Sequence, residues 1–302
     1  MCRSIAMAKE NDEALETQFQ KGVKRLYEKG IDKIPNKYIL PVQERPNNTS
    51  QAEPSETCRE NIKLPIIDFA ELQGSNRPQV LKSLADACKQ YGFFQLVNHG
   101  IPKDVIRGMV AGLRGFSSFP TRKDRNIVIR HASSGSIGTS FNQNKDNVFC
   151  WRDFLKLMCH PLPDVLPSLA FFSHRFQEAG GYLLKTNQIL VSNDEVEGLQ
   201  IQYKDKWVTV ESIPNAFVVN VGDHLEIFSN GKYESVLHRV KVNSTKSRIS
   251  VASLHTLPFK CMVRPWSKLI DAANPRRYKD TNFATFLDYI STRDPKNKEF
   301  LD

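Results

Sequence analysis

An α+β fold with a barrel-like or jelly-roll core flanked by helices is what this 302-residue sequence predicts. Two observations predict it. Apolar residues recur at helical spacing in the N-terminal part, and short strand-like runs between turn residues fill the C-terminal part. Helices first and short antiparallel strands afterwards suit a strand core with helices packed outside it. Composition agrees: 40% hydrophobic and 25% charged residues are ordinary for a globular chain and supply enough apolar material for a sizeable core.

The elements follow in order. From Asn11 to Lys29 a stripe of Leu15, Phe19, Val23, Leu26 and Tyr27 predicts a helix, capped by Asn11 or Asp12 and stopped by Gly30. A polar, proline-bearing connector runs to Ser55. Leu64-Pro-Ile-Ile-Asp-Phe69 predicts a short buried strand. Arg77 to Tyr91 predicts a helix with Asn76 as cap, Pro78 in the first turn and an apolar face of Val80, Leu81, Leu84 and Cys88. Gly92 ends it, and Phe93 to Val97 is a strand. Leu199–Tyr203 and Trp207–Val210 form a hairpin around Lys204-Asp-Lys206; Ala216–Val221 and Arg248–Leu257 are further strands. Thr281 to Ile290 closes the chain as a helix with Phe283, Phe286, Leu287 and Ile290 on one side.

A net charge of +9 invites a nucleic-acid reading. Lysines and arginines are spread along the chain, however, without like-charge blocks or aromatic–basic interleaving, so nucleic acid is not expected as a partner. A basic surface does suit an acidic small molecule such as a dicarboxylate. The six cysteines, at 2, 58, 88, 150, 159 and 261, show no zinc-like spacing and no disulfide framework. Scattered thiols, a short N-terminal apolar run and no segment near the roughly 20 apolar residues of a membrane span predict a cytoplasmic protein, monomeric by default.

The chemistry concentrates late in the chain. His238 lies in the strand-like run Ser235-Val-Leu-His-Arg-Val240, and alone it is an ordinary structural histidine. Arg248-Ile-Ser250 follows, an alternation that puts both side chains on one face. Arginine offers a planar fork of donors matched to a carboxylate, and serine adds a hydroxyl donor. An exposed edge-strand pair is the plain alternative.

These residues sit among longer words: Asn215-Ala-Phe-Val-Val-Asn-Val-Gly-Asp223, Ser229-Asn-Gly231, Leu64-Pro-Ile-Ile-Asp68 and Gly92-Phe-Phe-Gln-Leu-Val-Asn-His-Gly-Ile-Pro102. Together they resemble the signatures of plant 2-oxoglutarate/iron(II)-dependent dioxygenases. The similarity is greatest to the flavanone-3-hydroxylase-like and downy-mildew-resistance-type branch. The match is good over about 10–110, 139–165 and 194–302, and poor over about 111–138 and 166–193. The resemblance implies a distorted double-stranded β-helix, with Fe(II), 2-oxoglutarate, O₂ and possible use of ascorbate. It makes His238 a metal ligand and Arg248 and Ser250 the grip on 2-oxoglutarate. The implied reaction oxidises a small plant metabolite (flavonoid, phenolic or hormone-like) with release of succinate and CO₂.

Such an iron site needs two imidazoles and a carboxylate on one face of the metal. In the family the first imidazole and the acid come as His-x-Asp or His-x-Glu, shortly before the element that Asp194-Glu-Val-Glu-Gly-Leu-Gln200 resembles. The corresponding Gly181-Tyr-Leu-Leu-Lys-Thr-Asn187 holds neither histidine nor acid, and the Tyr-Tyr-Pro-Pro-type segment is absent. His174 precedes Arg175-Phe176, with Glu178 at helical spacing. His224-Leu-Glu226 matches formally but lies only fourteen positions before His238; Asp223-x-x-Glu226 reads instead as a capping box of a short helical turn. His99 reads as a turn residue, and His131, His160 and His255 have no partner at ligand spacing. Trp151-Arg-Asp153 reads as packing and ion-pair residues, and Asn274 to Tyr278 as a solvated basic turn.

Two readings stay open from sequence. One is an active oxygenase; the other is a non-catalytic truncated or splice variant without the proximal iron ligands, its strand core incomplete. The expected organisation is an N-terminal helix and linker over 1–60, an N-terminal dioxygenase region over 61–165, an atypical junction over 166–193 and a C-terminal jelly-roll region over 194–302.

Overall fold

A computed structural model of the chain describes residues 22–42, 61–117, 136–138, 148–156, 191–192, 196–255 and 257–292. In chain order these contain α1 (Val23–Glu28), β1 (Asn61–Ile62), β2 (Ile66–Asp68), α2 (Arg77–Gln90), β3 (Phe93–Val97), α3 (Lys103–Ser117), β4 (Ser136–Gly138) and β5 (Phe154–Lys156). Then follow β6 (Val191–Ser192), β7 (Leu199–Tyr203), β8 (Lys206–Val210), β9 (Phe217–Asn220), α4 (Asp223–Phe228), β10 (His238–Val240), β11 (Ser250–Val251), β12 (Met262–Val263), β13 (Thr281–Asn282) and α5 (Phe283–Thr292). The chain divides into two compact units, one from 1–55 and 107–186, the other from 56–106 and 187–302.

In the first unit, α1 is held from a distance. The Asp153 carboxylate accepts hydrogen bonds from the backbone N–H of Val23 at 2.7 Å and Lys24 at 3.0 Å. These are orphan donors of the helix N-terminus, where a negative charge also meets the favourable end of the dipole. Val23, Leu26 and Tyr38 are buried together, and Trp151 meets the Tyr38 ring edge-on at 5.0 Å. β4 and β5 pair antiparallel.

The second unit is layered. One sheet has the order β1–β8–β7–β10 and another β2–β3–β9; β6 pairs with β11 and β12 with β13. Leu64, Phe93, Ile201, Val208, Val210 and Val218 form one buried cluster, so the two larger sheets share a core. On the far side of β3, Phe94 and Ile67 meet Val80, Ala87 and Cys88 of α2. Consecutive phenylalanines thus serve opposite faces of one strand, as strand geometry requires. A third cluster joins α4, β12 and α5 through Ile227, Val263, Phe283 and Phe286, with Tyr278. The described strands form sheets rather than a closed barrel.

Several expectations hold and several are corrected. Gly30 does end α1, at φ +68, and Lys204 and Asp205 form the hairpin turn with positive φ. Tyr27 lies outside the apolar stripe at 72% exposure, and Leu81 and Ile66 are also exposed, because each of these elements buries only one narrow face. Asn76 makes no side-chain cap; its amide donates instead to Glu71 Oε2 at 2.9 Å. Among the described residues of the Arg248–Leu257 run, only Ser250–Val251 is strand. The N-terminal half of the first expected helix and all of the expected 166–193 junction except 191–192 lie outside the described residues, as does the side chain of Ile290.

Gly92 marks the tightest backbone approach. It has φ +62, and a Cβ there would stand 2.6 Å from the Glu234 carbonyl oxygen and 2.7 Å from Val236 Cγ2. Gly100 also has positive φ, +80, but a Cβ there meets nothing within 4 Å. Gly100→Ala is expected to cost only backbone strain, about 1–2 kcal/mol. Gly92→Ala adds a backbone collision and is expected to cost about 3 kcal/mol or more. Urea unfolding midpoints of the two variants check this ordering.

Candidate functional site

His238, Arg248 and Ser250, the site residues that the resemblance implies, all fall in the second unit. His238 opens β10, which pairs antiparallel with β7 in the register His238↔Ile201, Arg239↔Gln200 and Val240↔Leu199. Ile201 is fully buried, so its partner His238 is directed to the core side of the sheet. There the imidazole meets Phe93 edge-on, with centroids 5.6 Å apart. Its Nδ1 lies 3.2 Å from the Val236 carbonyl oxygen, and the residue as a whole remains exposed.

The opposite face fixes this register. The Arg239 guanidinium lies 4.0 Å above the Trp207 ring centre, and its Nε donates to Gln200 Oε1 at 2.9 Å. Gln200 in turn donates to Thr209 Oγ1 at 3.1 Å. Burial makes the Arg239 cation less favourable than in water, which the ring face and the amide oxygen offset.

Arg248 precedes β11 and is half-buried; Ser250, in β11, is exposed and pairs with Ser192. The Arg248 stem runs against Gly198, just ahead of β7. Its Nε is buried and has no hydrogen-bond partner among the described residues, and desolvation disfavours its charge. A buried guanidinium N–H left unpaired is costly, and a carboxylate is the group whose geometry best satisfies it. Gly198 also accepts a 2.7 Å hydrogen bond from the Lys241 backbone N–H, which continues the β7–β10 ladder. Arg248 and His238 therefore meet the chain at and just ahead of β7 three positions apart, roughly 10 Å along a strand, an odd offset that in a regular strand belongs to opposite faces.

For a dicarboxylate co-substrate the residues present fit, on the evidence of that unsatisfied Nε. For an iron triad they do not. Among the described residues no cluster of three or more His, Cys, Asp or Glu side chains could hold a metal. His224-Leu-Glu226 is no ligand pair. Glu226 is buried and its carboxylate accepts from the Ser235 N–H at 2.6 Å and the Tyr278 hydroxyl at 3.1 Å. The expected capping box is corrected here. Gly222, without a side chain, is the N-cap of α4, and Glu226 turns inward to the following loop rather than back to the cap. His99 is structural as expected: it stacks on Phe217 at 3.8 Å and its ring nitrogens contact the Asn215 carbonyl and the Ile101 N–H. His131, His160, His174 and Glu178 lie outside the described residues.

Sequence reasoning missed three contributors: Gly198, Phe93 as the neighbour of His238, and Tyr278 as the partner of Glu226. Only Gly198 left a local signal, a glycine at the mouth of a strand where close backbone approach is common.

Residues 64–172 match the model described as non-haem dioxygenase in morphine synthesis N-terminal, and 185–256 match the 2OG-Fe(II) oxygenase superfamily. The chain is 28% identical over 323 residues to Protein DMR6-LIKE OXYGENASE 2 of Arabidopsis thaliana, covering 85% of this chain and 90% of that protein. It is 28% identical over 331 residues to Flavanone 3-dioxygenase 2 of Oryza sativa subsp. japonica, covering 90% and 94%. Both alignments exceed the 302 residues of this chain, so both relatives carry residues without a counterpart here. A crystal structure of JOX2 in complex with 2OG, Fe and JA superimposes with a TM-score of 0.74 at 24% identity, covering 92% of this chain and 96% of that one. That likeness shows the double-stranded β-helix fold.

His224 generates a pH prediction. Its Nε2 is buried without a partner among the described residues, beside Phe283 and Phe286 at 5.0 and 4.7 Å. Burial lowers its pKa, and Asp223 offsets part of the effect. The unfolded chain takes up this proton near pH 6.5, about the ordinary histidine value, and the folded chain only at lower pH. Between the two the unfolded state binds more protons, so stability falls as pH drops below about 6.5. His224→Phe is expected to flatten that part of the stability–pH curve, measured by urea unfolding from pH 7.5 to 5. On its sequence signatures, its fold and the placement of its late strands, this chain belongs to the plant 2-oxoglutarate/iron(II)-dependent dioxygenase family.

Proposed function

We propose that this chain serves in the oxidation of a small plant metabolite, flavonoid, phenolic or hormone-like, with 2-oxoglutarate as co-substrate and release of succinate and CO₂. The observation that carries this reading is the buried Nε of Arg248, without a partner among the described residues and lying against Gly198 ahead of β7, the strand that pairs with that of His238. Arg248 and Ser250 would hold the distal carboxylate of 2-oxoglutarate, the arginine by its planar fork and the serine by its hydroxyl. His238 would offer a neutral imidazole to Fe(II), with Phe93 fixing the plane of its ring. In this family Fe(II) and O₂ carry the oxidation; the protein's part is binding, orientation and exclusion of water. We also infer a monomer in the cytoplasm without nucleic-acid or membrane partners. In support, Cys88, Cys150 and Cys261 are free thiols, and among the described residues no helix is long and apolar enough to cross a membrane.

A second reading is a non-catalytic variant lacking the proximal ligands. The comparisons do not favour it, since the matches to oxygenases cover 90% and 94% of those relatives' length. One observation stands on its side: the sequence has no His-x-Asp, and its single His-x-Glu is occupied elsewhere. Anaerobic titration with Fe(II) and 2-oxoglutarate separates the two. The oxygenase reading expects a metal-to-ligand charge-transfer band and succinate release, both lost in His238→Ala. Arg248→Met is expected to raise the 2-oxoglutarate concentration needed by about tenfold to a hundredfold, the worth of one charge-assisted hydrogen bond. Absence of band and succinate in the wild type at millimolar 2-oxoglutarate would establish the second reading.

A further inference from the structure

We infer that Gly198 is a positioning residue for the co-substrate, setting the gap between the His238 strand and the Arg248 side chain. Two approaches converge on this glycine. Its carbonyl accepts the 2.7 Å bond from Lys241, the residue that follows β10. A Cβ at 198 would stand 3.1 Å from the Lys241 carbonyl oxygen, 3.2 Å from Arg248 Cδ and 3.5 Å from Arg248 Nε. The first two distances are tighter than ordinary van der Waals contact, and one of the neighbours is backbone in the β7–β10 ladder. The ladder resists movement because Ile201 is buried and Arg239 is clamped between Trp207 and Gln200. The arginine stem is the part that gives. Gly198 carries no positive-φ requirement, so its lack of a side chain matters for space rather than for backbone conformation. It therefore lets the Arg248 stem lie directly against the chain where it enters β7, so that a side chain at 198 would displace the guanidinium.

This inference rests on 2-oxoglutarate binding at Arg248. Calorimetry on the full chain, with and without Fe(II) under anaerobic conditions, measures affinity for 2-oxoglutarate and for 2-oxoadipate, one methylene longer. Gly198→Ala is expected to weaken 2-oxoglutarate binding about tenfold, the loss of one well-aligned charge-assisted bond. It should weaken 2-oxoadipate less than threefold, because displacement of the guanidinium favours the longer acid. Gly222→Ala, where a Cβ meets nothing within 4 Å, is the control and should change neither. Equal loss for both acids assigns Gly198 a merely structural role and overturns the inference, as does unchanged 2-oxoglutarate affinity. A melting temperature taken beside each titration identifies a variant that has failed to fold; Gly198→Ser then repeats the length comparison with a second small side chain. A wild type that takes up neither acid sinks the underlying 2-oxoglutarate reading itself, a result distinct from any difference between variants.

Discussion

The register of β10 on β7 is the constraint on which the candidate site depends. Side chains alternate across a sheet, so a slip of one residue would exchange His238 and Arg239 between its faces. Three features oppose that slip. Ile201 opposite His238 is fully buried, and removing a side chain of that size from water contributes about 1.5–3 kcal/mol. Arg239 finds both a ring face and an amide oxygen on the outer side, a pairing available in one register only. The Lys241–Gly198 hydrogen bond continues the ladder past the end of the strand. An apolar anchor on one face and a cationic one on the other are harder to satisfy by accident than either alone.

Entry into β10 is controlled by polar rather than apolar contacts. Glu226, the fourth residue of α4, is buried and reaches forward to the Ser235 N–H and across to the Tyr278 hydroxyl. Asn230, at φ 52, donates to the Pro275 carbonyl and accepts from the Arg277 N–H, so the same loop is tied twice to the segment before β13. A buried carboxylate is tolerable only when its bonds are made, so this network leaves the loop few alternative paths. Gly92 completes the fixation by admitting Glu234 and Val236 at distances no side chain would allow. The imidazole of His238 therefore inherits its position from groups on several elements, none of them a metal ligand.

Much of this fold was legible in the sequence because its signals are local. The β7–β8 hairpin announces itself by alternation around Lys204-Asp205, and α2 by its period and by Pro78. His99 could be set aside because a strand followed by Asn-His-Gly is turn chemistry, and Asn98 does take positive φ. What was not legible depends on partners distant in sequence. Glu226 looks like a capping residue until Tyr278, fifty-two positions on, is seen to bind it. Asp153 looks like one half of a surface ion pair until it caps a helix 130 positions earlier. Arg-x-Ser announces a carboxylate grip, yet nothing in the spelling says that the Arg248 Nε is enclosed and that Gly198 is what it lies against.

The two halves of the site differ in how much chain each requires. The proposed carboxylate grip needs Arg248, Ser250 and the β7–β10 ladder, all within the second unit. The iron triad needs, in addition, two ligands that the family draws from a single His-x-acid segment, so loss of one short stretch removes two of three ligands and leaves the grip untouched. That grip alone is weak. Charge-assisted hydrogen bonds contribute about 1.5–3 kcal/mol each. Immobilising a ligand costs at least about 4 kcal/mol. Two or three such bonds therefore hold a dicarboxylate with little surplus, and chelation of its keto-acid end by a metal is what would turn occupancy into tight, oriented binding. The affinity of this chain for 2-oxoglutarate is thus a direct reading of how complete its metal site is, because the arginine side contributes a nearly fixed amount either way.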